Sequence, residues 1–463
     1  MRPGARLDRV RNANQKYLGL KREGLSAEQL FLRKLQTAFW RARMLDEAVQ
    51  ELATGAVRDT RALVAECCEL GVSLKGEHRA LLAKAIEDQD LLAHLMAQQG
   101  ERVPGRTAYY AAAGPGIDRD IPVNRDSAWP FSRWKNDARF TEYEFRGESV
   151  WYRGLRLLPG DVILANVNLD GNGVYTALWD PKSYCSHAAV FAVLQDAGQR
   201  FPAAIETYEK GVRAVPLNIF MGPRYVAYAE IYRHTQASAR HFKSFGQAAL
   251  TAIDRTKGFN FYPEDEDRSY VSCTALSRFL HVDAGLGRIR PMSSLADEGI
   301  RENLARLGFT EFSPFLTPVD YLLNEDFQRV GWIDNNQLDK LVARELVEGR
   351  FRELMSSRQL NTRRLPFTYH FNLWGIGQMR RRSTLGALIS AAVGFDHLSL
   401  PKGPDQIIAL VKPLEAQLGK AIAEILPFVR NYLANLEHFD YQAMSGDRRV
   451  EALLDRYVRI AWL

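Results

Sequence analysis

An α+β protein is the fold that the sequence predicts, on three observations. Strand-length apolar runs separated by turn residues fill the stretch from Phe145 to Tyr232. Helical stripes lie on both sides of it, from Ser26 to Gln98 and again beyond residue 285. Between the strands and the second helical region, Cys273 opens a segment with the pattern of a helix start. The chain divides into an N-terminal helical region (1–105), a linker or lid (106–144), a sheet-bearing region (145–290) and a mostly helical C-terminal region (291–463).

The elements follow in order. Residues 1–24 are basic, and Ser26-x-x-Gln29 offers a capping box before Leu30, Leu35, Phe39 and Leu52 at helical spacing. A second helix is expected over Leu63–Leu70 and a third over Glu77–Gln98, giving a hairpin or bundle that packs on the rest. Gly114-Pro115-Gly116, Pro122 and Pro130 then break the pattern. Trp129 and Trp134 alternate there with Arg125, Arg133 and Lys135, as in a linker pinned to a neighbour or a lid over a cleft. Strands are expected at Ala188–Leu194, Ala203–Tyr208, Val212–Leu217 and Tyr225–Tyr232, the last clear one. Ala237–Asp254 reads as a helix, followed by the Cys273 helix. Beyond residue 285 the chain reads as helical at Val319–Asn324, Asn336–Gln359, Gln406–Leu436 (bent by Pro413 and Pro427) and Arg448–Trp462. Arg363–Leu373 alternates with period two, so a strand or extended arm is expected there.

Composition narrows the function. At 463 residues the chain exceeds one core. Four cysteines (Cys67, Cys68, Cys185, Cys273) are too few and scattered for a disulfide framework, and no Cys/His spacing suggests zinc. No cofactor is expected. A net charge of +6 without a basic tail or an RNA-binding aromatic motif gives no reason to expect nucleic acid. The N-terminus lacks a secretory pattern and no apolar run spans a bilayer, so a cytoplasmic location is expected, with signal-independent export left open.

Three residues carry the candidate chemistry. Cys273 lies on the stripe formed with Leu276, Phe279 and Leu280, in the first turn of a helix that Ser269 or Ser272 can cap. A helix N-terminus stabilises a thiolate and can bind an oxyanion. The alternative is a buried structural cysteine. His187 opens the apolar run Ala188–Leu194, which reads as a strand covered on both faces. Glu206, on the next strand, can face His187 across an antiparallel ladder and fix its tautomer, with Glu209 as competitor. Each could instead be a capping or solvated residue. Cys185 shares a strand face with His187 but lacks a helix N-terminus.

Leu158-Pro-Gly-Asp161-Val-Ile-Leu164, Ser186-His187-Ala-Ala-Val190, Ile205-Glu206, Val215-Pro216-Leu217 and Tyr270-Val-Ser-Cys273 together resemble the circularly permuted papain-like cysteine hydrolases of the YaeF/YiiX type. These are relatives of NlpC-type amidases and of lecithin:retinol acyltransferase. The resemblance covers about residues 155–285. It implies a permuted papain-like antiparallel sheet with a cysteine helix, flanked by helical N- and C-terminal regions. It also implies Cys273 as nucleophile, His187 as base and Glu206 as orienting acid, working through a thioester on an acyl lipid or an amide. Where the family usually has Cys-Ser-Glu-Leu after the aromatic residue, this chain has Val271-Ser-Cys-Thr-Ala-Leu276 after Tyr270. Other readings are a peptidoglycan or peptide amidase, and a non-catalytic interaction protein or delivered effector on the same core. Arg380, Arg381 and Arg382, near Phe367, Tyr369, Phe371, Leu373 and Trp374, offer a peripheral membrane contact. The alternative is a solvated arginine turn before a buried helix.

Overall fold

The computed structural model describes residues 143–458 except 153–154, 168–184, 197, 209–210, 223–224, 263–265, 290, 292–297, 311, 313–315, 336, 366, 382, 394–399, 436–443 and 445–446. The expected N-terminal helices, the linker with its tryptophans, Cys67, Cys68, Glu209 and Arg382 all lie outside the described residues.

Three short strands come first: β1 (Glu144–Arg146), β2 (Ser149–Tyr152) and β3 (Leu155–Leu157), an antiparallel meander. The main strands follow as β4 (Val162–Val167), β5 (His187–Asp196), β6 (Gln199–Tyr208) and β7 (Gly211–Pro216). A single helical turn, α1 (Leu217–Phe220), leads to β8 (Val226–His234) and then to helix α2 (Ala239–Arg255). The short strands β9 (Gly258–Phe259) and β10 (Tyr270–Val271) run directly into α3 (Cys273–Asp283). Beyond it come α4 (Glu298–Arg306), α5 (Pro318–Leu323), β11 (Phe327–Asp334) and α6 (Leu338–Ser357). Helices α7 (Phe367–Arg380), α8 (Thr384–Val393), α9 (Asp405–Asn435) and α10 (Arg448–Val458) complete the chain.

Six strands form one open sheet in the order β11-β8-β4-β5-β6-β7, every neighbouring pair antiparallel. Both faces are covered, as continuous apolar strands require. On one face Ile163, Ala189, Phe191, Ala204 and Val215 pack with Val150, Tyr152 and Leu157 of the meander. On the other, Val190, Ala192, Leu194, Ala203 and Ile205 meet Phe245 of α2 and Leu276, Phe279 and Leu280 of α3.

The turn into β4 is tightly specified. Gly160 has φ +96°, and a Cβ there would lie 2.2 Å from the Phe245 ring. No other residue fits that conformation and space. Asp161 closes the turn by accepting the Leu158 N–H at 2.8 Å, and pairs with Arg233 of β8 at 2.7 Å.

Two regions differ from the sequence expectation. Strand β11 lies in the mostly helical C-terminal region, in the unassigned gap between the helices expected at Val319–Asn324 and Asn336–Gln359, and it extends the sheet by pairing with β8. A register shift between Arg329 and Gly331 interrupts its alternation, which hides it from a period-two reading. The core also runs across residue 290: one apolar cluster joins Val162, Leu164, Ala188 and Cys273 to Leu346, Ile376 and Ile425 of the C-terminal helices. The second difference is Arg363–Leu373. It forms no strand or arm but a single 3₁₀ turn (Thr362–Arg364) and the first half of α7. Tyr369, Ile376 and Met379 are buried, at separations of seven and three residues that mark one helix face. The polar residues between the aromatics mimic a strand over so short a window.

Candidate active site

Cys273 is the first residue of α3. The Ser272 hydroxyl caps this helix by accepting the Ala275 N–H at 3.2 Å. The helix stripe turns the thiol inward, and Cys273 is buried. The approach to it is held by backbone bonds. β9 and β10 pair in parallel, Lys257 N–H donates to the Ser269 carbonyl at 2.7 Å, and the Asn260 side chain donates to the Tyr270 carbonyl at 3.3 Å.

His187 begins β5, paired with Ala165 of β4. The β5–β6 register sets Val190 against Ile205, so Glu206 shares a sheet face with His187, diagonally placed. The two side chains meet: Nε2 of His187 lies 2.8 Å from Oε2 of Glu206, both fully buried. With Nε2 so engaged, Nδ1 is the nitrogen left to face Cys273, whose thiol interacts with the imidazole. Cysteine, histidine and carboxylate thus form one connected chain in the order a nucleophile, a base and an orienting group require.

Glu206 has two partners that the sequence reading does not single out. Arg213, directly across the ladder on β7, donates from Nε to Oε1 at 2.7 Å. The Tyr225 hydroxyl reaches the same carboxylate at 2.7 Å and accepts from Arg213 at 3.0 Å. Phe220 of α1 packs at a tilt against both rings, its centroid 6.2 Å from His187 and 5.1 Å from Tyr225. A signal for Arg213 exists: it is the single charged residue in the otherwise apolar strand Gly211–Pro216, opposite a buried carboxylate.

These contacts set the protonation of the group. Burial alone would push the Glu206 pKa up, but the Arg213 charge, the His187 bond and the Tyr225 hydroxyl hold it down at about 2. Burial also works against an imidazolium at His187. The bonds to Cys273 and Glu206, with the negative charges they offer, outweigh it and lift the pKa to about 9. Cys273 is pushed up by burial and drawn down further by the His187 bond and charge and by the N–H groups of Ala188 and Thr274, so its pKa falls below the ordinary thiol range. The Tyr225 pKa is raised well above normal, by burial first and then by Glu206, so it remains a donor. Near neutral pH the imidazolium is therefore favoured at His187 and the carboxylate at Glu206, which faces the Arg213 guanidinium, and the Cys273 thiol is biased toward its thiolate.

Cys185 is also buried, in the same apolar cluster as Cys273, but precedes β5 in coil. The imidazole bond goes to Cys273. Among the described residues no group of three or more His, Cys, Asp or Glu side chains is placed to hold a metal ion. Nor does any described helix have the length and apolarity to cross a membrane. Arg380 is committed to an ion pair with Asp405 and to the Gly403 carbonyl, while Arg381 is exposed.

No protein-family model, curated protein or solved structure matches the chain. Mixed helix and strand with open antiparallel sheets is the class that the fold itself defines.

Proposed function

We propose that this chain is a cysteine-dependent hydrolase or acyl transferase on a circularly permuted papain-like core, with Cys273, His187 and Glu206 as its triad. The observation that carries the reading is the buried imidazole held between the Glu206 carboxylate at 2.8 Å and the Cys273 thiol. The histidine and carboxylate precede the cysteine in the chain, the order of the permuted enzymes that the sequence resembles.

In the proposed reaction the Cys273 thiolate attacks an acyl carbon and a carbon–sulfur bond forms. The tetrahedral oxyanion is received at the N-terminus of α3, where Ser272 already takes the Ala275 N–H and the groups of Cys273 and Thr274 are the nearest donors. His187 gives its proton to the departing oxygen or nitrogen as that bond breaks, leaving a thioester. Water, or an acceptor hydroxyl or amine, then loses a proton to the neutral imidazole and attacks the thioester, and the thiolate is restored. Glu206 keeps the ring in the tautomer that faces the sulfur, and Arg213 and Tyr225 hold Glu206 charged. Substrates are acyl esters of lipids or amides, with acyl lipids preferred.

Limited iodoacetamide treatment near neutral pH, mapped by mass spectrometry, tests the nucleophile. Cys273 is expected to label ahead of Cys67, Cys68 and Cys185. Preferential labelling of Cys185 would transfer the role to that thiol.

A further inference from the structure

Helices α7 and α8 form a hairpin whose outer face is apolar. Among the described residues seven large apolar side chains are exposed, and five of them sit here: Phe367, Phe371, Trp374, Leu385 and Leu388. Phe367 is 81% exposed, an extreme value for a phenylalanine. The three aromatics fall at i, i+4 and i+7 on one side of α7, their ring centroids 6.3 and 5.8 Å apart in sequence. The opposite side carries Tyr369, Ile376 and Met379 into the core. The helix is therefore apolar on two sides, and only one is used internally.

The hairpin is closely packed. A Cβ at Gly386 would lie 2.5 Å from the Gln378 carbonyl, and one at Gly375 would lie 3.0 Å from Ile389. Glycine at both places lets the helices approach, so the outer face is presented preformed. Its charge is one-sided. Between Glu353 and Asp396 the sequence holds six arginines and no acidic residue. Arg380 is neutralised by Asp405, but Arg363, Arg364 and Arg381 are exposed. An exposed aromatic face rimmed by unopposed cations suits an anionic lipid surface, where aromatic rings settle at headgroup depth and arginines meet phosphate. A second copy of the same face would bring like charges together.

We infer that the α7–α8 hairpin docks the protein on an anionic lipid bilayer. Docking stands independently of turnover; the further statement that the bilayer supplies the acyl substrate rests on the acyl-lipid reading above. The hairpin is tied to the nucleophile's approach loop. Arg380 donates to the Gly403 carbonyl at 3.0 Å, and Lys402 exchanges backbone bonds of 2.8 Å with Phe259 and Phe261. Phe259 belongs to β9, the partner of the strand that runs into Cys273.

The test uses the full chain as Cys273→Ala, which binds without turning over, in cosedimentation with phosphatidylcholine vesicles with and without phosphatidylserine. Binding is expected with phosphatidylserine at low salt and weakens at high salt. Removing Arg364 and Arg381 as glutamines weakens it by about fivefold for each charge. Replacing Phe367, Phe371 and Trp374 by serine weakens it by about a hundredfold or more. These side chains are exposed, so an unchanged urea midpoint is expected, and Leu388→Ser supplies a second, smaller loss. Wild-type hydrolysis of a small soluble ester stays unchanged by every hairpin variant. Absent vesicle binding, binding indifferent to both sets of variants, or a serine variant that converts a dimer to a monomer without affecting vesicles would each overturn the docking surface. Vesicle binding by a protein whose Cys273 neither labels nor turns over would sustain the docking surface and sink the catalytic reading; soluble-ester turnover without vesicle binding would do the reverse.

Discussion

The cluster around Cys273 and the α7–α8 hairpin treat charge and apolar surface in opposite ways. Around Cys273 the ionisable groups lie inside the protein, each against a partner: Glu206 with Arg213 and His187, His187 with Cys273. On the hairpin, rings and leucines lie outside and several arginines face solvent without an acid in their own stretch of sequence. Low dielectric magnifies the first arrangement, because a buried charge that loses its partner retains its full desolvation cost. Solvent screens the second, so its groups contribute little to stability and are free to serve a contact. A fold keeps exposed aromatics at little folding cost, and keeps buried charges only when their partners are complete.

The largest expected effect breaks the buried half of that comparison. Cys273→Ala and His187→Ala should each lower turnover by about ten-thousandfold or more, and the double variant should lose little further, because the pair acts as a unit. Glu206→Gln should cost less than either, since it orients and does not react. A silent Glu206→Gln beside a severe Glu209→Gln would reassign the carboxylate.

Next in size is stability. Arg213→Gln leaves Glu206 buried without its guanidinium, and urea denaturation should show a loss of about 3–5 kcal/mol. The same replacement at exposed Arg381 should stay within about 0.5 kcal/mol. Equal losses at the two positions would erase the distinction.

The pH dependence is a finer probe. His187 is raised from 6.5 to about 9, so the stability it contributes is fully present below pH 6.5 and is lost as pH climbs through about 9. Glu206 is lowered from 4.5 to about 2, so its contribution is present above pH 4.5 and is lost as pH falls through about 2. The site should therefore hold together from mildly acidic to mildly alkaline pH. Iodoacetamide should alkylate Cys273 at pH values below the ordinary thiol range, and kcat/KM should fall on an alkaline limb near pH 9 as the imidazolium loses its proton. An alkylation profile like that of a free cysteine would remove the ion pair. In the Glu206→Gln protein the alkaline limb should move to lower pH, since one of the groups that raises His187 is gone.

Much of the sheet was legible because local pattern and tertiary role agree there. The run Ala188–Leu194 is apolar at every position, and the strand it forms is covered on both faces. Ser272 beside Cys273 signals a capped helix start, and the cap forms. The three candidate site residues were readable for the same reason, each sitting at an element's beginning or in an apolar strand where its chemistry stands out. Strand β11 was not legible, because its register shift is imposed by pairing with β8. The helix at Phe367–Arg380 was misread because a short alternation of aromatic and polar residues fits either period, and only the buried contacts of Tyr369, Ile376 and Met379 decide between them.

By itself the sequence determined the mixed helix-and-strand class, the main strands between Ala188 and Tyr232, the helix after them and the helix start at Cys273, and it singled out Cys273, His187 and Glu206 as candidates, since these depend on periodicity, caps and residue type. Tertiary structure alone decided that His187 and Glu206 meet at 2.8 Å, that Arg213 and Tyr225 hold the carboxylate charged, and which side of α7 is left outside. Those outcomes depend on ladder register and on how helices pack. A one-residue slip would turn every strand side chain to the opposite face, and no local pattern in the chain encodes that distance.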